Sequence, residues 1–156
     1  MVCHAAFGAA AGMFAGVPQV LAAQVVGKLV GRRSRADIGP RFVHRASWWA
    51  RKPLSRPAHW SVAGLFHFAY AAAWGAAYAA CVEAAGVRRV PPLLGGGALG
   101  ALIYAVAFSR FGVATLARTE RHPERRGKHD WAVHLVSPFS FALVLASTYR
   151  WWRERI

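Results

Sequence analysis

GLFHFAYAAAWGAAY, residues Gly64–Tyr78, decides what kind of chain this is. It holds one histidine, His67, among alanines, glycines, aromatics and aliphatics. Read outward, the apolar character runs from about Trp60 to Ala85 without a Lys or Arg. Crossing bilayer hydrocarbon takes roughly 20 helical residues, so apolar runs of this length read as membrane spans. Three more blocks qualify: about 5–30, 92–117 and 131–149. The chain has 156 residues, 56% hydrophobic, yet a formal charge of +14, with the charge gathered in short blocks between the apolar ones. This segregation predicts an all-α fold, an integral membrane four-helix bundle forming one transmembrane domain over residues 1–156. A basic amphipathic loop, 31–58, separates the first and second spans.

Face one takes the N-terminus, the turn 86–91 and the C-terminal tail; face two takes the long loop after the first span and the loop 118–130. From Lys28 to Arg56 there are nine Lys and Arg, and five more from Arg118 to Lys128. On face one, Arg88 and Arg89 are joined by Arg150, Arg153 and Arg155. Positive residues accumulate on the cytoplasmic side, so the count predicts cytoplasmic loops 31–58 and 118–130 and both termini outside. The start of the chain lacks a basic segment, so a cleaved signal peptide is not expected. Cys3 and Cys81 are too few for a metal set or disulfide framework. Because the basic residues flank apolar spans, nucleic-acid binding is a poor explanation for +14.

Within the basic loop, GPRFVHRASWWARKP (Gly39–Pro53) places Phe42, Ala46, Trp49 and Pro53 at helical spacing. Arg41, His44, Arg45, Arg51 and Lys52 supply charge, and Trp48 and Trp49 suit headgroup depth. That pattern predicts an interfacial helix touching anionic lipid headgroups through Arg41, Arg45, Trp48, Trp49, Arg51 and Lys52. A topology-setting basic loop with no specific ligand is the plainer reading of the same residues and ranks ahead of it.

In the first span, GAAAGMFAG sets Gly8, Gly12 and Gly16 four residues apart; in the third, LLGGGALG does so with Gly96 and Gly100. Such glycine rows let a second helix backbone approach closely. They predict packing within the chain first, and contact with another copy or another membrane subunit second. Pro18 is expected to kink the first span.

On a helical wheel, Tyr70, Trp74 and Tyr78 fall within about 60° of His67. This predicts one aromatic face turned inward. Arg110 in the third span, His134 and Ser137 in the fourth, and Gln24 in the first share the membrane half nearer face two. Intramembrane ionisable groups usually face a partner or a watery cavity. The layer His67, Arg110, His134, with Gln24 and Ser137, is therefore a candidate for sensing or relaying protons or holding a polar or anionic ligand. Haem between His67 and His134 is a third and weaker option; no other cofactor and no metal is expected. Glu83 lies near Arg88 and Arg89, which are expected to neutralise it. No nucleophile–base set, phosphate loop or metalloprotease motif is present, so no enzyme is expected, and lipid or quinone chemistry ranks last.

The run His67, Tyr70, Trp74, Tyr78, Glu83, followed by Gly97-Ala98-Leu99, resembles the YagU family of bacterial inner-membrane proteins. Asp130, four before His134-Leu135-Val136, continues the likeness, which extends from about Trp60 to the C-terminus. The resemblance implies a small multi-pass protein of the bacterial inner membrane, in a family with a suggested link to acid tolerance and no established activity. Ala105 stands where the family would have histidine and Arg110 where it would have proline. The family's basic N-terminus implies a cytoplasmic N-terminus, opposite to the charge count. The resulting expectation is a non-enzymatic membrane protein; the alternative is an accessory subunit of a larger membrane complex.

Overall fold

Four of the helices are long because their sequences leave the backbone no better partner than itself. Alanine and leucine are strong helix formers, and apolar surroundings require backbone groups to be satisfied within the segment. The computed structural model describes residues 2–29, 38–86, 90–119 and 127–155, which contain helices and no strand. They form α1 (Val2–Leu29), α2 (Ile38–Trp49), α3 (Arg56–Ala84), α4 (Pro92–Phe108), α5 (Val113–Leu116) and α6 (Lys128–Arg153). Four segments are long and apolar enough to cross a membrane: Cys3–Leu29, Arg56–Ala84, Pro92–Leu116 and Trp131–Arg153. Between 22% and 39% of each is buried within the chain, so most of their apolar surface faces outward. Leu65, Phe14, Leu93 and Leu102 are all more than half exposed. An exterior this apolar suits lipid and would associate in water.

The third segment departs from the expected continuous span. α4 ends at Phe108, Ser109 turns to extended backbone, and the short α5 begins only after Gly112. At roughly 1.5 Å per residue, the 17 residues of α4 reach about 26 Å. A side chain at Gly112 would strike the backbone of Ala107 and Phe108, within 2.7 Å. The Ser109 carbonyl accepts from the Gly112 N–H at 3.0 Å and from Thr115 Oγ1 at 2.9 Å, which satisfies the break locally. Arg110 therefore lies in a turn, exposed, and not inside a helix.

Packing runs in series. α1 lies antiparallel against both α3 and α6, α6 also packs on α4, and α2 sits on α3. The α1–α3 contact is close because side chains are missing from it. A Cβ on Gly8 would meet the Gly75 carbonyl and the Ala79 methyl; one on Gly12 would meet the Ala71 carbonyl. Gly75 is the reciprocal tooth, facing Gly8 and Gly12. On α4, Gly96 faces Ala142 and Leu143, and Gly100 faces Phe139. The glycine rows are thus filled from within the chain. The core between the helices is built of small residues, Ala15, Ala79, Ala142 and Ala146, around Leu145 and Tyr149.

Gly12→Val should lower the thermal midpoint of the detergent-solubilised protein. Overpacking of this kind costs about 1–3 kcal/mol, and backbone contact puts it at the upper end. Gly97→Ala, where an added Cβ meets nothing within 4 Å, should leave the midpoint unchanged or raise it through helix propensity.

Candidate functional site

The residues expected in one polar layer have separate partners. His67 turns toward α1, where Nε2 lies 3.2 Å from the Gly16 carbonyl oxygen. A carbonyl only accepts, so Nε2 carries the proton in this bond. The ring reaches the backbone because Gly16 has no Cβ; one there would lie 3.1 Å from Nε2. His134 is buried on α6, its ring edge-on to Phe108 at 4.8 Å. Ser137, one turn further, accepts from the Gln19 amide at 3.0 Å. Gln24 is exposed and is not the glutamine that contributes. Arg110 is likewise outside, its guanidinium 5.8 Å from the Phe111 ring centre. His67 and His134 sit on α3 and α6, which both pack on α1, and their rings have different neighbours, the Gly16 carbonyl and Phe108.

The aromatic face of α3 is also divided. Tyr78 is buried against Tyr149 of α6, ring centres 6.0 Å apart, and its hydroxyl approaches Gly95 of α4. Trp74 is partly buried against the core. Tyr70 is 38% exposed and contacts the Phe66 and Trp74 rings instead of the interior.

At the face-one end the structure builds a polar cluster that the sequence reading did not assemble. Arg153 grips Glu83 with both arms of its fork, Nε to Oε1 at 2.9 Å and Nη2 to Oε2 at 3.4 Å. The Tyr149 hydroxyl donates to Glu83 Oε1 at 3.0 Å, and His4 Nδ1 lies 3.3 Å from that hydroxyl and 3.6 Å from the carboxylate. With the hydroxyl proton directed at Glu83, Nδ1 is placed to donate to the tyrosine oxygen. One carboxylate thereby ties α1, α3 and α6. Arg88 and Arg89, the expected partners of Glu83, lie outside the described residues, as does the side chain of Asp130. Beside the cluster opens a cleft of about 180 Å³ between α3 and α6, lined by Tyr78, Val82, Tyr149 and Arg150 among others. The readable signal for this cluster was the one-turn spacing of Tyr149 and Arg153, which aligns them on one helix face.

At the face-two end, α2 is seated on α3. Phe42 stacks on Phe66 with ring centres 4.9 Å apart, Val43 is buried, and Gly39 passes close to the Ala63 carbonyl. Arg41 reaches the Thr119 carbonyl at 3.5 Å, joining α2 to the turn after α5. The C-terminal end of α2 carries Trp48 and Trp49, 64% and 54% exposed. The Arg45 guanidinium lies over both rings, 4.8 and 5.5 Å from their centres, with its Nε buried and without a hydrogen-bond partner. Lys52 and Arg51 are exposed at the helix end.

No family model, curated protein or solved structure matches this chain. The likeness to the YagU family thus rests on the residues that carry it. Among the described residues, no group of three or more His, Cys, Asp or Glu gathers where a metal ion could sit.

Tyr149→Phe keeps the buried ring but removes the hydroxyl. It should lower stability by about 1 kcal/mol, read as a melting-point drop of roughly 2–4 °C. On a Glu83→Gln background the same change should cost less, because the two groups act in one network.

Proposed function

We propose that this chain is a non-enzymatic, multi-pass membrane protein that gathers anionic lipid headgroups at face two, on α2 and the neighbouring turns. The observation that carries the proposal is Arg45, a cation held over two exposed tryptophans on a helix whose apolar side is already seated. Tryptophan favours headgroup depth, and arginine's planar fork matches phosphate oxygens. Stacking on the rings fixes the guanidinium in advance, so less rotamer freedom is lost when an anion arrives. Arg110, over Phe111 in the turn after α4, adds a second cation with an apolar neighbour.

As part of this proposal we place face two in the cytoplasm of a bacterium, the protein lying in its inner membrane. The cytoplasmic leaflet carries a negative surface potential, which suits that orientation. The geometry of His67 favours a tie between α3 and α1 over proton relay, since its Nε2 is engaged with Gly16. The accessory-subunit alternative loses its glycine grooves as docking surfaces, because α3 and α6 fill them.

Native mass spectrometry of the protein released from nanodiscs of equal phosphatidylglycerol and phosphatidylcholine tests the proposal. Retained lipid should be enriched in phosphatidylglycerol. Each basic residue near an anionic surface contributes about 1 kcal/mol, so Arg45→Ala with Lys52→Ala should reduce that preference roughly thirtyfold. Retention of both lipids in the bilayer ratio by the unaltered protein would remove the proposal.

A further inference from the structure

Among the described residues, the two non-glycine positions with positive φ are both arginines, Arg51 at +53° and Arg118 at +55°. Both stand immediately after a helix end, and the two ends close in the same way. After α2, the Arg51 N–H donates to the Trp48 carbonyl at 3.1 Å and the Lys52 N–H to that of Ser47 at 3.0 Å. After α5, the Arg118 N–H donates to Thr115 at 3.1 Å and the Thr119 N–H to Ala114 at 3.0 Å. This paired closure requires one left-handed residue, and glycine is its usual occupant because a Cβ is strained there. At the end of α3, on face one, the left-handed residue is indeed Gly86, with φ +64°. On face two, arginine twice takes the place that glycine fills more easily.

Among the described residues nothing offsets that strain. Both side chains are exposed, and among the described residues neither guanidinium makes a hydrogen bond, ion pair or ring contact. Attraction to the negative end of a helix is weak here, since α5 has four residues and exposed charge is screened by salt. The positive-inside rule is met by an arginine anywhere in these loops and does not ask for a left-handed one. Both turns border α2: one follows its end, and Thr119, next to Arg118, gives its carbonyl to Arg41 near its start.

We propose that Arg51 and Arg118 are lipid-phosphate ligands that set the preference for anionic phospholipid, retained at helix closures that glycine would stabilise. This rests on the reading of face two as a headgroup surface. The exposed fork of each takes two phosphate oxygens, which the short side chain or none at a glycine closure cannot do.

The test uses the full chain with Arg51→Gly, Arg118→Gly, the double variant, and Arg51→Lys with Arg118→Lys. Each is measured for melting point in neutral detergent at high salt and for lipid retention in equimolar phosphatidylglycerol and phosphatidylcholine nanodiscs. Each glycine should raise the melting point by about 2–4 °C. It should also cut the phosphatidylglycerol preference roughly fivefold, and both together about twenty-five-fold. The lysine variants keep charge and strain, so they should melt like the unaltered protein and keep most of the preference. Glycine variants that melt higher yet retain phosphatidylglycerol normally would overturn the proposal, as would glycine variants that melt lower. If that happens while Arg45→Ala with Lys52→Ala still abolishes the preference, the headgroup surface stands and only the role of these two arginines falls. If the unaltered protein shows no preference, both fall.

Discussion

The rest of the structure hangs on how closely the backbones of α1 and α3 approach. Between Gly8, Gly12 and Gly75 there are no side chains, and carbonyl oxygens of one helix lie where a Cβ of the other would be. In apolar surroundings helices gain little by hiding from solvent, so dispersion at short range and hydrogen bonds across the interface hold them together. His67 is the polar member of that interface. It reaches the Gly16 carbonyl only because the third glycine of the row is also bare. The same helix turns Ala11, Ala15 and Ala23 inward, with Gln19 at the same four-residue spacing bonded to Ser137 of α6.

The two ends of the helix group handle charge in opposite ways. At face one Glu83 is held by Arg153 and Tyr149 and Glu154 by Arg150 at 2.7 Å, while Arg155 lies over the Trp151 ring. At face two Arg45 lies over Trp48 and Trp49, Arg110 beside Phe111, Arg41 reaches the Thr119 carbonyl, and Arg51 and Arg118 are exposed. The Glu83 cluster holds three helices in place, whereas a guanidinium lying over exposed aromatic rings keeps its field for something outside the chain.

Much of this was legible in the residues. Four apolar blocks gave the long helices, and the pattern from Gly39 to Pro53 gave α2 with its aromatic, basic side. The glycine rows announced close packing, although only coordinates could tell which helix fills which row. What misled was depth. Arg110 and Gln24 fall inside apolar blocks by count, yet Ser109 and Gly112 break the third block just before Arg110 matters, and Gln24 sits one residue beyond the alanine stripe that faces α6. Partners distant in sequence were hidden for the same reason. The sequence offers Glu83 the nearby Arg88 and Arg89, whereas no local pattern links it to Arg153, 70 residues away.

The central position of α1 has a consequence for how the chain is made. Its two flanks are covered by α3 and by α6, the first through glycine teeth and the second through Gln19–Ser137 and the His4–Tyr149 contact. Because α1 is made before α6, it waits for that later helix before its second flank is closed. Until then a stripe of alanines and a glutamine side chain stand open to lipid. Gln19 finds Ser137 only once α6 has docked, so this hydrogen bond is among the last to form on α1.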